Sequence, residues 1–220
     1  MKKVITVADA VALIPDGASV MIGGFMGVGT PSRLIDELVS QGKRRLTVIA
    51  NDTALTGIGI GKLIDAGLVE RVIASHIGLN PETQRQMITG ELMVELVPQG
   101  TLIERIRAGG FGLGGVLTAT GVGTVVAEGK PTLEIGGVLF LVETPLKADF
   151  ALVAARQADH SGNLSYALTA RNFNPLIAMA GARVIAEAED IVPIGVIPPD
   201  AVITPSVVVD YLIAKECRHG

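Results

Sequence analysis

Short apolar runs at 18–22, 46–50, 69–74, 92–97, 150–154 and 184–188 punctuate the chain, and segments of helical spacing separate the first four. Strands joined through helices return to the same end of a sheet and therefore pair in parallel. The predicted fold class is α/β, an open, mainly parallel sheet with helices on both faces. Composition agrees with this. Hydrophobic residues make up 49% of the 220 positions, aromatics only 3%, and Trp is absent. Val, Ile, Leu and Ala must fill the core, as in strands covered on both faces. A mean hydropathy of +0.50 fits such a sheet, and equally an apolar surface hidden against another chain. No linker composition appears, so residues 1–220 read as one domain.

Local signals place the helices. Thr6 with Asp9 in the first turn predicts a short helix to about Leu13. Thr30 is expected to cap the next helix, with Pro31 at its first position and Leu34, Ile35 and Leu38 inward. A polar helix follows at 81–89, and Thr101 is expected to cap an amphipathic one running through Arg107. From residue 109 the stretch RAGGFGLGGVLTATGVGT reads as an irregular loop. A hairpin of 132–135 and 138–142 around Gly136-Gly137 comes next. QADHSGNL reads as a turn and 175–180 as a helix, before a proline-bearing tail with the β-branched run TPSVVVDYLI.

Several function classes are disfavoured. Net charge is −4 with no basic run, against the needs of a nucleic-acid partner. The single cysteine, Cys217, forms no internal disulfide, which fits a reducing cytoplasm. Asp9 interrupts the N-terminal apolar stretch, against a signal peptide, and no run approaches the ~20 apolar residues of a membrane helix. His76, His160 and His219 lack metal-ligand spacing. No G-x-S-x-G elbow of a serine hydrolase is present.

The segment GGFMGVGTP, residues 23–31, carries the densest glycine cluster at a strand end. It is not a dinucleotide fingerprint, because Ser32 stands where the third glycine of G-x-G-x-x-G belongs. Nor is TGIGIGK a phosphate loop, because Leu63 follows Lys62. Two readings remain. One is a tight turn without a ligand. The other is a loop whose N–H groups and following helix terminus approach an anion, with Phe25 offering an apolar face to a pantetheine-like arm or a neighbouring subunit. Asn51 and Gln99 also fall at strand ends, on the side where parallel sheets place their sites.

Asp16-Gly17, two variable residues, three apolar ones, Gly23-Gly24-Phe25, three more, then Gly29-Thr30-Pro31 form a pattern that resembles the alpha-subunit signature of the 3-oxoacid coenzyme A-transferase family. Asn51-Asp52 and ELVPQGTLIERIRAGG are similar to further family landmarks. The resemblance implies an architecture related to that of ribose-phosphate isomerases, with transfer of CoA between a short-chain acyl-CoA and a free carboxylate such as acetoacetate. It further implies a beta-subunit partner in an alpha2beta2 assembly, coenzyme A as the substrate group and no metal. On this reading Gly24, Phe25, Met26, Gly27, Val28, Gly29 and Thr30 handle CoA, while Asn51 and Gln99 support the acyl pocket or an oxyanion. The family's nucleophilic glutamate, in a Ser-Glu-Asn-Gly-type motif, has no counterpart here and is expected on the beta subunit. Glu143 and Glu187 follow apolar strands and either could serve as a nucleophile, but a strand-end carboxylate in a hydrogen bond or at a subunit contact is the favoured reading. Two other readings stand beside this one, a sugar-phosphate isomerase of similar fold and a non-catalytic CoA-binding subunit.

Overall fold

A computed structural model describes residues 3–213; Cys217 and His219 lie outside the described residues. The first half alternates as expected: β1 (Lys3–Ile5), α1 (Val7–Ala12), β2 (Ser19–Ile22), α2 (Ser32–Ser40), β3 (Leu46–Ile49), α3 (Gly61–Asp65), β4 (Val69–Ala74), α4 (Pro81–Thr89), β5 (Met93–Leu96) and α5 (Gln99–Gly110). The second half holds β6 (Val116–Thr118), β7 (Thr132–Ile135), β8 (Val138–Glu143), β9 (Ala148–Asp159), β10 (Leu164–Ser165), α6 (Asn174–Ala180), β11 (Gly181–Val192) and β12 (Tyr211–Ile213).

The main sheet has the order β1-β12-β11-β9-β2-β3-β4-β5, parallel at each of these pairings, with β10 antiparallel beside β9. Alternate side chains of one strand feed opposite faces. Val20 and Ile22 join Leu34, Leu38 and Leu63 on one side, while Met21 joins Leu102, Phe173 and Ile177 on the other. Helices therefore cover both faces, as the apolar runs require. The strand order reverses between β2 and β9, which opens a crevice at their C-terminal ends, the usual ligand position in such sheets.

The structure alters several details. Strands β9 and β11 each run for 12 residues, well beyond 150–154 and 184–188. β1 pairs with the far end of the chain, Val4 opposite Leu212. Within the supposed loop from 109, Val116–Thr118 joins the expected hairpin in a second, antiparallel sheet of order β6-β8-β7. Thr6 caps α1 as expected, its side chain accepting from the Asp9 N–H at 3.0 Å. Thr30 does not cap α2, and Thr101 does not cap α5. Pro31 and Pro98 occupy those N-cap positions, and neither offers a side-chain acceptor. Thr101 instead lies buried inside α5 with no partner for its Oγ1 among the described residues.

Candidate functional site

Gly23 leaves β2 with its N–H still donating to Leu152 O of β9 at 3.1 Å. The chain then folds into a miniature hairpin in which Phe25 and Val28 exchange both backbone hydrogen bonds at 2.9 Å. Met26 and Gly27 form its tip with φ of 50° and 84°, the signs that a type I′ turn demands. A non-glycine residue at positive φ is costly unless something holds it. Here the Met26 N–H donates to Asp52 Oδ2 at 3.0 Å.

Asp52 is the hub of this end of the sheet. Its Oδ2 also accepts from Asn51 Nδ2 at 2.7 Å, and its Oδ1 from the Ala54 N–H at 2.7 Å. Asn51 Oδ1 accepts in turn from Gln99 Nε2 at 2.6 Å. Ser75 donates to the Asn51 carbonyl from both its N–H and its Oγ, at 2.9 and 2.7 Å. Gln99 reaches inward because α5 begins at that residue, two positions before the expected cap. The structure thus joins Asn51, Gln99 and the loop tip in one hydrogen-bonded chain, with Asp52 and Ser75 as members that sequence reasoning had not placed there.

The loop's other flank meets α6. Asn174 is fully buried, and its Nδ2 donates to Gly29 O and Ala170 O, both at 2.9 Å, while its Oδ1 accepts from the Ala154 N–H at 2.9 Å. An asparagine before proline at a helix start was the only sequence cue to this residue. Gly29 has φ of 71°, and a Cβ there would sit 2.7 Å from Ala170 Cα. Gly24, buried with φ of 118°, would drive a Cβ into the Thr30 side chain. Thr30 is thus occupied against Gly24 rather than at the helix start. The loop's outward residues are Met26 and Val28, and Phe25 is half-buried.

Glu187 of β11 performs the capping assigned to Thr30. Its carboxylate accepts from the N–H of Leu34 at 3.0 Å and of Arg33 at 3.3 Å, and the Arg33 guanidinium lies 3.3 Å away. The anion position at the α2 terminus is therefore filled by the chain's own carboxylate. The N–H groups of Phe25, Met26 and Val28 are likewise engaged, which corrects the picture of an open row of donors. Beside this terminus lies a cleft of about 930 Å³, lined by Gly29, Thr30, Arg33, Arg156, Glu187 and Glu189 among others. Its walls are small, formed by alanines of β9, of β11 and of the turn at 167–170. Gly29 and Thr30 reach this cleft; Asn51 and Gln99 belong to the network on the other flank.

Glu187 thus lies within β11 rather than at a strand end, and Glu143, the last residue of β8, is also committed. Glu143 is 2% exposed, accepts from Lys130 Nζ at 2.6 Å and lies 3.8 Å from Arg105 Nε. Among the described residues no group of His, Cys, Asp and Glu could hold a metal ion, and no helix is long and apolar enough to cross a membrane.

A glycine hairpin pinned at a strand-order reversal, beside a cleft at the end of a parallel sheet, defines an open-sheet α/β protein. The family model of coenzyme A transferase matches residues 4–215, and the chain belongs to that family. It is 56% identical over 214 residues to the acetate CoA-transferase subunit alpha of Escherichia coli strain K12, covering 97% of both chains. To the acetoacetyl-CoA:acetate/butyrate CoA transferase alpha subunit of Clostridium acetobutylicum it is 47% identical, covering 97% of this chain and 98% of that one. An acyl-CoA transferase of E. coli O157:H7, solved as a thioester complex with CoA, shares the fold with a TM-score of 0.86 at 23% identity. That match covers 97% of this chain, which spans about half the length of the solved one, 47%.

Proposed function

We propose that this chain is the alpha subunit of an acetate CoA-transferase, moving CoA between a short-chain acyl-CoA and a carboxylate such as acetoacetate, and working only with a beta subunit. Such transfer without ATP needs a carboxylate nucleophile. A glutamate oxygen attacks the thioester carbonyl, the C–S bond breaks, and CoA leaves as the thiolate with an acyl-glutamyl anhydride behind. The thiolate then attacks the glutamyl carbonyl and releases the first acid. Repeating these steps in reverse with the second acid yields the new thioester. One observation supports the division of labour: the two glutamates that follow apolar runs are both engaged, Glu187 by the α2 terminus and Glu143 by Lys130. With the family's Ser-Glu-Asn-Gly-type motif also missing from the chain, this reading assigns the attacking glutamate to the beta subunit, in an assembly of two alpha with two beta chains.

In this reading the 23–31 loop forms one wall of a shared cleft. Met26 and Val28 present apolar surface to the substrate arm, and Gly24, Phe25, Gly27, Gly29 and Thr30 hold that surface in place. Exposed Gln99 offers the polar group of this wall, held by buried Asn51, which Asp52 fixes in turn. A preorganised donor facing a developing oxyanion is worth about 3 kcal/mol. The identity to the acetate transferase alpha subunit supports the short-chain substrate class. The test is direct. The purified chain alone should show no exchange between acetyl-CoA and acetoacetate, and adding the beta subunit should restore it. Exchange by this chain alone would contradict the reading.

A further inference from the structure

The antiparallel sheet of β6, β8 and β7 sorts its side chains in an unusual way. Residues paired across an antiparallel ladder share a face, as do alternate residues along each strand. Leu141 and Glu143 of β8 point to the molecule's body, where both are buried. The other face follows from the register: Leu133 opposite Phe140, Ile135 opposite Val138, and Leu117 opposite Val142. All six of these residues are apolar. Leu117, Leu133, Ile135 and Val138 are 43–51% exposed, and Phe140 and Val142 are half-buried. A solvated antiparallel sheet alternates apolar with polar residues, whereas contiguous apolar faces of this kind mark contact sites. The face is held firmly, because the Lys130–Glu143–Arg105 cluster fixes its inner side.

We infer that this six-residue face is where the beta subunit docks, an inference that rests on the proposed function. The absence of charge from all six positions calls for an apolar counter-surface and a lasting contact, since permanent interfaces are the more hydrophobic class. The occupant follows from the relatives. The K12 match is itself a subunit alpha, covered over 97% of its length, so a companion chain must supply the rest of that enzyme. The solved transferase carries a comparable length of further chain on the same polypeptide. A face left bare in this half is matched by a half that is elsewhere supplied.

The experiment uses the full chain co-purified with its beta subunit, wild type and with Leu133→Lys or Val138→Lys. Both positions are half exposed, so the variants should keep the wild-type circular dichroism and melting temperature. Each should associate at least about tenfold more weakly, the loss expected of an interface anchor. In the wild-type pair, amide exchange over 132–142 should slow on adding the beta subunit. If the wild-type pair forms and is active while the variants bind equally and exchange at 132–142 is unchanged, the docking inference falls and the proposed function stands. If 132–142 is already protected in the isolated chain, which then sediments as a dimer, the face belongs to a second copy and the inference is overturned. If no active wild-type pair forms, both readings fall.

Discussion

Gly29 sits where three constraints meet: a left-handed backbone, the Ala170 main chain 2.7 Å from any Cβ, and a carbonyl held by Asn174. Relief of such a clash requires backbone movement, so Gly29→Ala should destabilise by about 1–3 kcal/mol, read from urea unfolding. Gly24→Val should act differently. Its Cβ meets the Thr30 side chain, and a φ of 118° is a backbone that a β-branched residue rarely adopts, so the loop itself must move. The sheet should keep its circular dichroism, while kcat/KM of the assembled enzyme for acyl-CoA falls by about a hundredfold through a displaced loop. The glycine cluster itself was legible in the sequence. The hub was not, because Asp52 gains its importance from partners 26 and two residues away and from a neighbour that binds Gln99.

At the scale of elements, caps show what short-range reading can see. Thr6 and Asn80 cap α1 and α4 through bonds to residues three positions on, a pattern written into neighbouring letters. The cap of α2 comes from Glu187, 153 residues from Leu34. No local signal encodes that distance, and a nearby threonine looks sufficient until Gly24 is seen to occupy it. Glu187→Ala should cost about 1–2 kcal/mol of stability, the range for lost N-caps, measured by urea unfolding. The QADHSGNL turn was legible for the opposite reason, since Asp159 closes it on itself. Its Oδ1 accepts from the N–H groups of Ser161, Gly162 and Asn163. Burial pushes the Asp159 carboxyl up, but hydrogen bonds from Ser161 and Asn163 more than offset this and hold it below the ordinary 3.8. A folded-state pKa below the unfolded one means the stabilisation is full above 3.8 and disappears as pH falls through the lower value. Asp159→Asn should therefore lower stability at neutral pH and flatten its acid dependence, seen in urea midpoints between about pH 6 and about pH 2.

For the whole molecule, strand–helix alternation specified the parallel sheet, and lateral order escaped it. β1 and β12 lie side by side although they bound the described chain, and β2 pairs with β9 across more than half the sequence. Apolar runs identify strands but not which strand each will touch, because any two buried strands offer similar ladders. That lateral order creates the crevice between β2 and β9, so the site's location was legible only through its glycine loop. The proposed function reads the engaged glutamates and the uncharged face of the smaller sheet as marks of a component that works with a partner. Trapping the covalent enzyme–CoA intermediate tests this most directly. The assembled enzyme is incubated with acetyl-CoA, reduced with borohydride to fix the glutamyl thioester, and mapped by peptide mass spectrometry. The mass change should fall on a glutamate in a beta-subunit peptide, with this chain's peptides unmodified. A mass change on Glu143, Glu187 or any other carboxylate of this chain would contradict the account.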